Sequence, residues 1–293
     1  MDAKEFTSLR KSVSTPYGEI AYVEKGSGPN AALFVHGVLL NGYLWRDSID
    51  RLSSTRRCIA LDLMGHGATK TPPDADMSFD AQVAMIGSFL DALGIDQVDL
   101  VANDSGGGIA QIFAAENPQR IRSFVITNSD THDNYPPPGL GPLIGAAKAG
   151  QLAAIGKNWL ENPEAPQHSF GVAYERPEEL TGERVQMYLG PLFASEESTR
   201  KLERFLASEE DNSPNVRIEP KLRQLQAPTL IMWGTDDVFF DTKWAYWLKD
   251  TIPGAREVIE VPGGKVFFPE ERPEFFAEQV RLFWQAEAAT KAA

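Results

Sequence analysis

One stretch of this 293-residue chain limits the possible folds more than any other. It runs Val98-Asp99-Leu100-Val101-Ala102-Asn103, then Asp104-Ser105-Gly106-Gly107-Gly108, then Ile109-Ala110-Gln111-Ile112-Phe113-Ala114-Ala115. The opening run is short and mostly apolar, which suits a buried strand, and the closing run reads as a helix. A strand that turns sharply into a helix holds its apex residue in a strained conformation and crowds the two backbones, so its neighbours must be small. The glycines meet that demand.

Around this turn the pattern alternates. Residues 10 to 25 read as two strands joined at Pro16-Tyr17-Gly18, and Ala31 to Val35, Cys58 to Asp62, Arg122 to Thr127, Pro228 to Gly234 and Arg256 to Val261 read as further strands. Helical spacing covers Phe79 to Leu93, with Gly94 as its stop, and Thr242 to Thr251. Strands alternating with helices give a parallel sheet covered on both faces, with ligands bound at the carboxyl ends of the strands. From about Asp133 the alternation breaks. Pro136-Pro137-Pro138-Gly139 and Pro142 form a stiff hinge, and helical stretches continue to about Val216. The expected division is therefore core over residues 1–133, a helical insertion over 134–218 and core again over 219–293.

Composition excludes several functions. A net charge of -13 argues against nucleic acid or an anionic membrane as partner, since both reward a basic patch. The single cysteine, Cys58, sits in an apolar run and allows no intramolecular disulfide. The N-terminus lacks the apolar segment of a signal peptide, and no run approaches the roughly 18 apolar residues of a membrane span. The expectation is a cytoplasmic monomer or homodimer that acts on a small molecule without metal or cofactor.

The strand-turn-helix segment resembles the nucleophile elbow of the α/β-hydrolase family. Either Asp104 or Ser105 has glycines two and three places on, but Asp104 has small Ala102 two places before it. The family's Ala-Ala-X-X-Pro helix ending, here Ala114-Ala115-Glu116-Asn117-Pro118, also counts back fourteen places to Asp104. An aspartate at the apex is similar to the haloalkane dehalogenase and epoxide hydrolase branches, in which a carboxylate attacks carbon. The plain structural alternative is an N-cap that takes free helical N–H groups. The resemblance implies an α/β fold with a mostly parallel eight-stranded sheet, helices on both faces, and a helical cap inserted after the sixth strand.

Further motifs extend the resemblance. His36-Gly37-Val38 matches the loop whose backbone N–H, with that of the residue after the nucleophile, forms the oxyanion hole; the donors here are Val38 and Ser105, and His36 props the loop. Gly65-His66-Gly67 matches a family turn. The strand ending Trp233-Gly234-Thr235-Asp236-Asp237 places the triad acid at Asp237, with Asp236 as the fallback. Two cap tyrosines hold the oxygen in epoxide hydrolases, and Tyr174 and Tyr188 are the candidates here, although ordinary packing also explains them. The halide donors of the dehalogenases are replaced by Val38 and Ser105.

The last family element departs from its pattern. Counting forward from Pro262 and back from Pro273 both place the catalytic histidine at Val266, next to Lys265. Valine neither transfers protons nor accepts them. His132, oriented by Asp130 or Asp133, could supply a replacement base, as could a desolvated Lys265 or the more distant His168. Otherwise Asp104 itself could act as general base in an elimination, cyclisation or isomerisation. A ligand-binding homologue and an engineered change at position 266 complete the alternatives. The favoured class is dehalogenase-like or epoxide-hydrolase-like hydrolysis of a small, largely apolar molecule through Asp104.

Overall fold

The computed structural model describes residues 1–162, 164–180, 182–208 and 213–292. Eight strands are formed: β1 (Arg10–Thr15), β2 (Gly18–Lys25), β3 (Ala31–Val35), β4 (Arg57–Leu61), β5 (Val98–Asn103), β6 (Ile121–Ser129), β7 (Thr229–Gly234) and β8 (Ala255–Val261). They make one sheet in the order β1-β2-β4-β3-β5-β6-β7-β8. β2 pairs antiparallel with β1 and β4, and every other pair is parallel. Every residue of β3, β5 and β7 is buried. Central parallel strands are covered by helices on both faces, which is why these segments read as mostly apolar runs in the sequence. The first strand, β1, alternates between exposed and half-buried residues, as an edge strand does.

The chain runs from β3 out to β4 and returns past β3 to β5. That reversal opens a crevice at the carboxyl ends of β3 and β5, where open α/β sheets place their ligands. Register then decides which loops meet there. Val35 pairs with Ala102, which sets the His36-Gly37-Val38 loop beside the turn after β5. Asp104 bridges to Ser129, which brings Asp130 alongside the turn, and Ile126 pairs with Ile231, which brings Asn128 towards the end of β7.

Between β6 and β7 the chain forms helices over Gly141–Lys148, Leu152–Glu161, Gly182–Leu192 and Glu196–Ser208, with shorter turns between them. The last of these buries Thr199, Leu202, Phe205 and Leu206, the spacing of an amphipathic helix. A buried ionic network fastens this insertion to the core. Tyr174 Oη donates to Glu270 Oε2 at 2.9 Å and Tyr188 Oη to Glu270 Oε1 at 2.7 Å, while Arg46 from the core donates to the same carboxylate at 2.5 Å. Next to it, Glu271 accepts from the backbone N–H groups of Glu175 and Arg176. A carboxylate in that position is tolerable only because each of its oxygens has a partner.

The sequence expectations for the strands and for the two core helices agree with the structure to within a few residues. The helix Phe79–Ala92 ends at Leu93, and Gly94 follows at φ +65°, a left-handed stop that glycine adopts without strain. Among the described residues no helix is long and apolar enough to cross a membrane.

Candidate active site

The elbow fixes the frame. Asp104 carries φ +57°, one of three non-glycine residues in the left-handed region among the described residues, and therefore stands at the apex, while Ser105 follows inside the helix Asp104–Glu116. The glycines are there because the backbones touch: a Cβ on Gly106 would lie 2.2 Å from the His36 carbonyl oxygen, and one on Gly107 would lie 2.3 Å from Ser129 Cβ. Gly37 is equally constrained, since its Cβ would lie 2.1 Å from Asp104 Oδ2. The loop after β3 thus lies directly against the Asp104 carboxyl.

A cavity of about 680 Å³ opens in front of Asp104. Its lining includes Val38, Leu39 and Val266, and the insertion adds Leu143, Trp159 and Phe170. Among the described residues, the ionisable members of its lining are Asp104 and Asp130. Burial pushes the Asp104 carboxyl up to about 7; backbone N–H groups of Ser105 and Val38 oppose the shift and nearby Asp237 adds to it. The Val38 N–H also donates to Ser105 Oγ at 2.8 Å. The serine hydroxyl is therefore an internal brace of the loop.

Asp237 occupies the position expected of a triad acid after β7. Its Oδ2 accepts from Asn128 Nδ2 at 2.7 Å and its Oδ1 from the Phe239 N–H at 2.9 Å. Burial raises it to about 6, against the pull of these donors. The fallback, Asp236, is exposed and bonds to the Thr235 hydroxyl. Asn128, which sequence reading did not single out, also accepts from the Gly234 N–H at 2.7 Å. A buried amide at the carboxyl end of a central strand was the available signal.

Val266 is buried in the cavity wall at the position counted from the flanking prolines, and its carbonyl accepts from Asn103 Nδ2 at 2.7 Å. None of the four proposed replacements or props brings an imidazole or amine to Asp104. His132 turns away: its Nε2 lies 3.1 Å from Glu219 Oε2 and its ring packs on Trp247, centroids 4.7 Å apart, so the expectation of a base there is corrected. A carboxylate and an aromatic face hold it better than an apolar wall could. Lys265 Nζ donates to the Val172 carbonyl at 3.2 Å, and His168 is exposed. His36 is the prop that the resemblance implied. Its Nε2 accepts from the Leu63 N–H at 2.9 Å and its Nδ1 donates to the Gly37 carbonyl at 2.8 Å, so the ring is neutral, and burial holds it down at about 4.

Tyr174 and Tyr188 also require correction. Both are fully buried with their hydroxyls on Glu270, and neither lines the cavity. An ionised carboxylate is a stronger acceptor than a substrate oxygen, so the tyrosines serve the anchor of the insertion. Asp130 does reach the cavity. It is 1 % exposed, its Oδ1 has no hydrogen-bond partner among the described residues, and burial with the adjacent Asp104 raises its carboxyl well above the ordinary value. Among the described residues, no group of three or more His, Cys, Asp and Glu could hold a metal ion.

A strained acidic apex after β5, backed by a loop after β3 and facing a hollow under a helical insertion, is the architecture of an α/β hydrolase. The chain belongs to the alpha/beta hydrolase fold family, whose description matches residues 31–272. "Haloalkane dehalogenase 2" of Mycobacterium bovis is 26% identical over 269 residues, covering 90% of each chain. A crystal structure titled as the putative ancestral haloalkane dehalogenase AncHLD2 covers 97% of this chain and 100% of its own, with TM-score 0.79 and 25% identity. The unliganded epoxide hydrolase CorEH superposes with TM-score 0.79 over 94% of this chain and 98% of its own; at 20% identity that likeness speaks for the fold alone.

Proposed function

We propose that this chain is an enzyme for a small, largely apolar molecule, and that Asp104 serves it as general base. The observation that carries this reading is the residue at position 266 in the cavity lining. Where an esterified aspartate needs an imidazole to activate water, buried Val266 stands, and Asp237, the acid after β7, is tied to Asn128. An ester formed there would not turn over. A carboxylate raised by burial to about 7 is well matched to proton abstraction at neutral pH. The apolar lining fits an apolar substrate, and the cavity volume suits one of modest size.

A second reading keeps the reaction of the family's dehalogenase and epoxide hydrolase branches, with attack of Asp104 on carbon. It is favoured by the Ser105 and Val38 N–H groups, which face the Asp104 carboxyl as an oxyanion hole would. Dehalogenation is the less suited version, because Val38 and Ser105 offer no free side-chain N–H to a departing halide.

Incubation with haloalkane, epoxide and ester panels, read by product formation and intact mass, separates the two readings. Turnover without an adduct, abolished in Asp104→Asn, is the expected result. A stable stoichiometric adduct on Asp104 overturns the general-base reading in favour of ester formation.

A further inference from the structure

We propose that Asp130 is the proton-donating partner of Asp104, and that the pair opens a small apolar epoxide by direct attack of water. This rests on the reading of Asp104 as the base. The two carboxyls are neighbours by construction: Asp104 bridges to Ser129 across β5 and β6, Asp130 is the next residue, and both line the same cavity. Their surroundings differ in a way that decides which one is charged. Asp104 receives two backbone N–H groups, which stabilise its anion, while Asp130 Oδ1 receives none. Two adjacent buried carboxyls do not both ionise, so the single proton resides on Asp130.

Of the other groups near the pair, Asp237 opposes that assignment by raising Asp104, but Asp104 alone keeps two backbone N–H donors. After β7, Asp237 is held by Asn128 and the Phe239 N–H; after β8, the Lys265 ammonium is turned to the Val172 carbonyl. On the far side of Asp130 stand uncharged Phe79 and Asn215, each close to the point where a Cβ on Gly108 would lie 3.0 Å from Asp130 Cβ. Among its described residues the insertion contributes no ionisable group to the lining. Its polar members there are Asn158, an amide with no acidic proton, and Ser169, whose hydroxyl donates to the Ala165 carbonyl.

This arrangement selects the substrate. A halide leaves as a stable anion that needs no proton, and Val38 and Ser105, the residues flanking Asp104, carry no side-chain N–H to hold it. A ring oxygen leaves as a strongly basic alkoxide and asks for a proton, and Asp130 is the one acid in the cavity that can give it. In the reaction Asp104 takes a proton from water as the water oxygen bonds to a ring carbon. The carbon–oxygen bond breaks, its electron pair goes to the ring oxygen, and that oxygen takes the Asp130 proton. The product is a vicinal diol, and return of the proton from Asp104 to Asp130 restores the pair.

The test uses the full chain with 1,2-epoxyhexane and styrene oxide, in the wild type, Asp104→Asn and Asp130→Asn. Expected are diol formation by the wild type, loss in Asp104→Asn, and a fall of about 10²- to 10³-fold in kcat in Asp130→Asn with the melting temperature retained. The alkaline fall of the rate profile should vanish in Asp130→Asn, a change that a merely structural role would not produce. Infrared spectra at pH 8 should show a buried protonated carboxyl band that Asp130→Asn removes and Asp104→Asn keeps. Turnover surviving in Asp104→Asn overturns the general-base reading itself. Turnover lost there but intact in Asp130→Asn, absence of that band, or no diol from either epoxide overturns the present inference alone.

Discussion

Asp104→Asn should make the protein more stable as it removes activity, and the gain should depend on pH. The folded carboxyl is raised from 3.8 to about 7, chiefly by burial, so the folded state binds its proton more tightly than the unfolded chain does. Stability is therefore lost as pH rises from the unfolded value through the folded one, and the loss is constant above it. With these two values the penalty is on the order of 2 kcal/mol at pH 5 and roughly 4 kcal/mol at pH 8.5. Asparagine is isosteric, still accepts the Ser105 and Val38 N–H groups, and tolerates the left-handed apex. For a chain of this length, unfolding entropy scales to about 0.6 kcal/mol per degree. The variant should therefore melt about 3 °C higher than the wild type at pH 5 and about 7 °C higher at pH 8.5. Differential scanning calorimetry at the two pH values measures this directly. Equal differences at both would mean that Asp104 titrates like an ordinary surface carboxylate, and its use as a base at neutral pH would lose its physical ground.

Other perturbations probe separate parts of the structure. Arg46→Met removes the nearer of two guanidinium partners from the buried Glu270 carboxylate, leaving Arg184 at 3.6 Å, and should lower unfolding stability by up to about 3–5 kcal/mol in denaturant titration; adding Glu270→Gln should restore most of it. Gly107→Ala places a Cβ within 2.3 Å of Ser129 Cβ and should cost about 1–3 kcal/mol, read as a lower melting temperature that Ser129→Gly partly recovers. His132→Ala removes a half-buried contact with Glu219 outside the cavity, and should leave the turnover rate unchanged while altering stability by less than about 1 kcal/mol. A change in kcat in that variant would return His132 to the chemistry.

The central strands were legible because burial on both faces makes them apolar runs, and the elbow was legible because its backbone contacts admit only glycine. Position 266 could be counted from Pro262 and Pro273 for the same reason: prolines and glycines mark where the backbone must bend. What a side chain faces was less legible. Tyr174 and Tyr188 looked like ligands for a substrate oxygen, yet Glu270, some ninety residues further along the chain, holds both hydroxyls. His132 looked like a spare base, yet Glu219 and Trp247 hold its ring.

Local constraints of backbone geometry and strand burial are written into neighbouring residues, and so the chain by itself determined the layered fold, the acidic apex and the loss of the usual imidazole. Only the tertiary structure decided that Asp130 shares the cavity with Asp104 while the tyrosines and His132 do not. That choice depends on the pairing of β5 with β6 and on partners far away in sequence. Both carboxyls are buried alike, and the backbone N–H groups that reach Asp104 but not Asp130 Oδ1 are the tertiary difference on which their proposed unlike charges rest.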